Sequence, residues 1–256
     1  MGNVGEVHVW VGKGWGATEL PNPSGTAPPH VDWDLWLGPA KQREYTPGMH
    51  PANWRRYRDF GTGTLGDMGC HYMDLPFWAL GLRHPRRIVA DGPPADADCC
   101  PLGLSVRYEF AASASHGELN LTWYDGNKKP STLNGIGLPG SGVLFVGDRG
   151  SMVATYGNHT FHGGAKSVEI PAEHKIAPSV GHHIEWLSAI QSNDPTRPLC
   201  KFDYAGPLTE TVLLGCAAHV AGTAIEYDGQ SGALIGQDAN QTLLTKSRRD
   251  GWPVAP

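Results

Sequence analysis

Over Glu6–Val11 (EVHVWV) the apolar Val7, Val9 and Val11 alternate with Glu6, His8 and Trp10. A period of two predicts a strand with two differently used faces, almost at the N-terminus. The alternation returns at Leu104–Phe110 and at Gly117–Tyr124, the latter ending in the turn Asp125-Gly126. Arg87–Ala90, Ser167–Ile170 and Ile225–Gly229 read as short strands, and Gly142–Tyr156 as two strands about a turn at Gly147–Gly150. Strands joined by hairpins predict a largely antiparallel sheet. The period changes to three or four residues within Asp59–Leu82, where Leu65, Met68, Tyr72, Leu75 and Trp78 share a stripe; Thr62 or Thr64 offers an N-cap and Gly81 a C-cap. His182–Gln191 is amphipathic, Pro207–Ala224 is apolar on several sides, and Asp238–Arg249 reads as a last helix with a basic end. Phe202–Tyr204 reads as a crossing loop, and proline-rich Lys13–His50 as loop interrupted by a compact turn, DWDLWLGPA. The prediction is an α+β fold: one open-faced, mostly antiparallel mixed sheet with helices on one face, spanning residues 1–256 as a single domain.

Composition narrows the function classes. Hydrophobic residues make up 40% of the 256, enough for a sizeable core, while charged residues at 18% are few beside 34 glycines and 21 prolines, which suits long ordered loops over a sheet. A net charge of −5 gives no electrostatic footprint for nucleic acid or for an anionic membrane. No apolar run is long enough to span a bilayer, and the first ten residues read as a strand rather than as a secretory leader. Five cysteines without a C-x-x-C form neither a disulfide framework nor a zinc ribbon, so a cytoplasmic location is expected.

The candidate chemistry lies on the central helix. Asp67, His71 and Asp74, at i, i+4 and i+7, share one face. A carboxylate beside an imidazole suits proton transfer, with Asp67 orienting His71 and raising its basicity; the alternative is a structural carboxylate–histidine tie. Sugars stack their C–H faces on aromatic rings and bind charged groups through their hydroxyls, so Trp54, Arg55, Asp59, Asp74 and Tyr124 are the candidate substrate-binding residues. A divalent metal is the weaker reading; it would draw on His71, His50, His159-x-x-His162 or His182-His183 with Glu185, but no metalloenzyme spacing is present. Gly61-x-Gly63-x-x-Gly66 matches a dinucleotide fingerprint in letters only, because basic, aromatic Trp54–Phe60 precedes it where a buried strand is required.

EVHVW, DWDLWLGPA, NWRRYRDFGTGTLGDMGCHYMDLPFWAL, LTWYDG, LFVGDRGSM, FDYAGPLTETVLLG and the terminal DANQ and RRDGW occur in one order along the chain. Together they resemble the C-terminal, substrate-binding domain of the Gfo/Idh/MocA oxidoreductases. The resemblance implies a sheet that pairs with a second copy, hence a homo-oligomer through the sheet face, and a place beside the substrate for Asp67 and His71. Family members also carry a Rossmann domain and a Glu-Lys-Pro lysine that assists hydride transfer, and neither occurs in this sequence. The expectation is therefore a chain that binds no NAD(P) by itself and performs nicotinamide-independent isomerisation, elimination or hydrolysis on a sugar or keto-sugar. The alternative is a non-catalytic carbohydrate-binding or partner subunit that joins a separate Rossmann-bearing chain.

Overall fold

The alternating segments form strands β1 (Val4–Trp10), β2 (Arg87–Asp91), β3 (Ser105–Phe110), β4 (Leu119–Tyr124), β5 (Thr132–Leu133), β6 (Ile136–Gly137), β7 (Gly142–Gly147), β8 (Gly150–Ala154), β9 (His159–His162), β10 (Ile225–Asp228) and β11 (Ala233–Leu234). The helices are α1 (Trp33–Leu37), α2 (Gly63–Leu80), α3 (His182–Ser192) and α4 (Phe202–Ala221). This computed structural model describes residues 1–167, 171–236 and 242–252. Nine strands make one sheet in the order β11-β10-β2-β3-β4-β1-β7-β8-β9, in which β1 and β4 run parallel and the other neighbours antiparallel. The mixed, mostly antiparallel α+β architecture predicted from the alternation is the one observed.

Side-chain alternation sends Val7, Val9, Val106, Tyr108, Leu121, Trp123 and Phe145 to one face, where they meet Leu65, Met73 and Phe77 of α2 and Leu208 and Val212 of α4. The two helices approach closely because both carry glycine at the contact: a Cβ on Gly69 would lie 2.8 Å from Val212, and one on Gly215 would lie 2.8 Å from Leu65. The opposite face holds a ladder of ion pairs, Arg107–Glu109 at 3.1 Å and Arg87 with Glu109 and Glu226 at 3.9 Å each. Toward β7 and β8 that face turns apolar, with Trp10, Leu144 and Val153 packed against Leu133 and Ile136.

Local chemistry sets the helix ends. Gly81 closes α2 in the left-handed conformation, φ 63°, as the sequence predicts. Thr62 takes the N-cap position without a side-chain cap bond, and Thr64 Oγ1 accepts from the Trp15 backbone N–H instead (2.8 Å). Helix α4 begins five residues before Pro207, so the expected crossing loop Phe202–Tyr204 is its first turn. Pro207 has no N–H for the Asp203 carbonyl four residues back, and the Arg83 guanidinium donates to that oxygen. This replacement partner lets the helix run through a proline that the sequence reading took as its start.

Elsewhere the structure adds a turn, and two expected elements lie partly outside the described residues. Leu133-Asn134-Gly135-Ile136 forms a tight hairpin between β5 and β6, with φ 50° at Asn134 and 75° at Gly135; Asn-Gly between apolar residues is the signal for that turn, and the sequence reading passed over it. The predicted helix Asp238–Arg249 begins in residues outside those described; in its described part only 242–244 make a single helical turn. The predicted strand Ser167–Ile170 likewise falls mostly outside the described residues. Helix α3 forms as its amphipathic pattern predicts, but Ala189 is its buried residue, and Trp186 and Ile190 are 62% and 60% exposed. No helix among the described residues is long and apolar enough to cross a membrane.

Candidate functional site

Helix α2 buries Leu65, Met68, Met73 and Phe77 and turns Asp67, His71, Asp74 and Trp78 away from the sheet, so the i, i+4, i+7 face is a real surface of the molecule. At its N-terminal end a 3-10 turn, Asn53–Arg56, sets Arg55 beside it. Arg55 Nε donates to Asp67 Oδ1 at 2.7 Å, and Arg55 Nη1 to the Ala52 carbonyl at 3.2 Å. The same guanidinium lies over Trp54, 4.5 Å from the ring centroid, and over Trp15 at 5.3 Å. One turn on, the His71 ring is exposed and forms no hydrogen bond or ion pair within the described residues. Its backbone carbonyl accepts from the Tyr156 hydroxyl (3.3 Å), and the Tyr156 ring stacks on Tyr72 at 4.9 Å. A further turn along, Asp74 Oδ1 accepts from the Tyr204 hydroxyl of α4 at 2.6 Å. Burial, and then the adjacent Asp74 carboxylate, push the Tyr204 hydroxyl well above its ordinary pKa.

The structure thus brings Trp54, Arg55, Asp67 and His71 to one end of α2 and places Asp74 next along the same face. The expected orientation of His71 by Asp67 is replaced by the Arg55–Asp67 pair, since a guanidinium offers a charge-assisted donor that a neutral imidazole cannot match. Asp59 stands apart: its carboxylate is paired with Arg43, whose guanidinium also lies 3.6 Å from Asp98, and it lines a cavity along α4. Tyr124 is on the opposite face of the sheet, because Trp123 beside it points into the core; its hydroxyl lies 3.2 Å from His8 Nδ1. Trp15, Tyr156 and Tyr204 complete the surroundings of the α2 face. The positions of the two tyrosines depend on where β8 and α4 dock, so sequence spacing could not bring them here.

The residues read as metal-binding do not assemble. His159 and His162 are three apart on β9, an odd spacing that puts them on opposite faces, and within the described residues no three His, Cys, Asp or Glu converge. A Cβ on Gly61 would lie 2.6 Å from the Arg55 backbone, one on Gly63 2.8 Å from Cys100, and one on Gly66 1.6 Å from Thr62. The glycines of this run make room for the chain itself.

Comparison with known families agrees with this architecture. Residues 6–123 match a family profile described as oxidoreductase family, C-terminal alpha/beta domain, of the Gfo/Idh/MocA type. The matched stretch, just under half of the chain, is similar to the C-terminal domain of that family. The match takes in β1 to β4, α2 and the whole Asp67–His71–Asp74 face. Similar solved structures include an oxidoreductase from Thermotoga maritima, 11% identical with a TM-score of 0.47 over 90% of this chain and 55% of its own. An NAD-binding protein from Listeria innocua is 13% identical, TM-score 0.48, over 87% and 55% of the two chains. An oxidoreductase from Sinorhizobium meliloti is 15% identical, TM-score 0.42, over 91% and 57%. The chain spans a little over half the length of each. No curated protein matches it.

Proposed function

We propose that the outer face of α2 binds a sugar or keto-sugar and that His71 moves a proton on it, in a nicotinamide-independent isomerisation, elimination or hydrolysis. One observation carries this reading: of the three ionisable groups on that face, Asp67 is occupied by Arg55 and Asp74 by Tyr204, while the His71 imidazole is uncommitted and exposed. Trp54 and Trp15, held against Arg55, offer rings for the apolar face of a sugar, and the Asp67 carboxylate keeps acceptor capacity for a hydroxyl. An imidazole can both take and return a proton, which suits it to acid–base work. The five cysteines are all free thiols, which supports a reducing, cytoplasmic setting.

The test is incubation with a panel of sugars, keto-sugars and glycosides in D₂O, without added nucleotide, followed by NMR. Conversion or C–H exchange is expected, and His71→Ala should slow it about a hundredfold, the lower range for loss of a positioned acid–base group. A His71→Ala protein that turns over at the parent rate would sink the assignment.

A second reading is favoured by the openness of the face. Leu75, Trp78 and Tyr156 flank His71 and are 38%, 52% and 73% exposed, an arrangement suited to being covered by another body. Under that reading the chain binds carbohydrate as a partner subunit, and a Rossmann-bearing unit closes over α2. Sugar binding with no conversion or exchange across the panel would select it. Self-association through the sheet face belongs to the proposal in either form. Light scattering should give a multiple of 27.5 kDa, and a single species at that mass would refute the oligomer.

A further inference from the structure

A cavity of about 1630 Å³ lies along α4 and not at the α2 face. Its long wall is apolar, formed by Leu213, Ala217 and Val220 of α4 with Leu243 and Leu244 across from them. Set into this wall is a cluster that the α2 site does not use. His84 follows α2, Glu210 comes from α4 and Tyr227 from β10, and all three line the cavity. His84 Nδ1 lies 3.0 Å from Glu210 Oε2, out of line for a hydrogen bond, and makes none to any other group among the described residues. The Tyr227 hydroxyl donates to the other carboxylate oxygen. The imidazole is fixed in place because its ring packs on Gly229, where a Cβ would lie 2.2 Å from it.

We propose that this cavity is a second ligand site, for a small apolar molecule bearing one hydroxyl group, an alcohol or phenol, with that hydroxyl at His84. The charge pattern gives the class. Where the ring is neutral, a proton on Nδ1, toward the Glu210 carboxylate, leaves Nε2 as an acceptor. An acceptor selects a hydroxyl over a carbonyl or an ether. Within this cluster the Tyr227 hydroxyl donates to Glu210 and the nearby cation Arg83 is engaged with the Asp203 carbonyl, so the imidazole is the group of the cluster left to meet a ligand; Lys41, Asp59 and Lys246 line the cavity as well. The apolar wall supplies affinity in the usual manner of small-molecule sites, with few polar groups setting orientation.

The test uses 2-naphthol and its methyl ether, 2-methoxynaphthalene, titrated into the full chain by calorimetry. Saturable one-to-one binding of 2-naphthol is expected, with the ether about tenfold weaker for want of the donated hydrogen bond. His84→Phe should abolish that discrimination, leaving both probes at the ether's affinity. Leu213→Arg, at a position 44% exposed where folding is not at stake, should weaken both about tenfold by filling the groove with charge. The proposal is overturned by absence of saturable binding, by equal affinity for alcohol and ether, or by discrimination that survives in His84→Phe. Indifference of both probes to Leu213→Arg overturns it too, and this arm stands even where the His84 variant is poorly folded.

Discussion

Asp125→Ala is expected to lower the unfolding free energy by about 2 kcal/mol at pH 7.5 and by about 4 kcal/mol at pH 4.5. Asp125 is 1% exposed, and its carboxylate accepts from the Leu104 backbone N–H at 2.9 Å and from Trp123 Nε1 at 2.8 Å. It ties β4 to the chain entering β3 and fixes the largest side chain of the core. Alanine leaves two buried donors without an acceptor, at about 1–3 kcal/mol each, and part of this is returned because a buried negative charge is also removed. The pH dependence follows from that charge. Burial raises the Asp125 carboxyl to about 6 from its usual 3.8, against the pull of the two hydrogen bonds. A group whose pKa is higher in the folded state stabilises fully below its unfolded pKa, and that contribution is lost as pH rises through about 6. The parent therefore gains about 2 kcal/mol on going from pH 7.5 to 4.5 that the variant does not share. Urea unfolding at the two pH values measures the difference directly. Parallel curves for the two proteins would show that Asp125 titrates normally, and equal stability would show that its hydrogen bonds contribute nothing.

Gly215→Ala should cost about 3 kcal/mol or more, enough to lower the melting temperature by several degrees or to leave the protein insoluble. The added Cβ would sit 2.1 Å from the Tyr108 hydroxyl and 2.8 Å from Leu65. None of these neighbours yields easily: Tyr108 is fully buried on β3, Leu65 is 1% exposed on α2, and the α4 backbone is pressed between them. Among the described residues the Tyr108 hydroxyl has no hydrogen-bond partner, and burial pushes its pKa far up, so its removal sacrifices no bond seen there. Tyr108→Phe in the Gly215→Ala background is accordingly expected to recover at least about 1 kcal/mol, a coupling that a double-mutant cycle isolates. Additive effects of the two substitutions would mean that the strain is relieved elsewhere, for instance by a shift of α4 along the sheet.

The strands and the central helix were legible because each buries one face. Val7 and Val9, Leu121 and Trp123, and Leu65 and Met68 repeat at the periods that put them on one side, whereas farther along α2 Met73 and Phe77 are buried and Leu75 and Trp78 of the expected stripe are exposed, because α4 packs on a neighbouring face of the helix. The Asn134-Gly135 hairpin was legible too, through the preference of those residues for positive φ, although the reading missed it. The start of α4 was not, because what allows Pro207 inside a helix is Arg83, more than a hundred residues away in sequence.

The candidate site divides in the same way. Helical spacing alone put Asp67, His71 and Asp74 on one face, and the structure keeps them there. The partners of these groups were decided by tertiary contacts: the turn at Asn53–Arg56 brings Arg55 to Asp67, and α4 brings Tyr204 to Asp74, so His71 is left as the free group. Tyr124 and Asp59 leave the site for equally long-range reasons, one through strand alternation about a fixed Trp123 and the other through Arg43. The sequence by itself determined which residues face inward and which chemistry lies along α2, because periodicity is a property of the local chain. Only the tertiary structure decided which charges are neutralised, which helix meets which through Gly69 and Gly215, and where a cavity remains, because each of these depends on segments that sequence separation keeps apart and packing brings together.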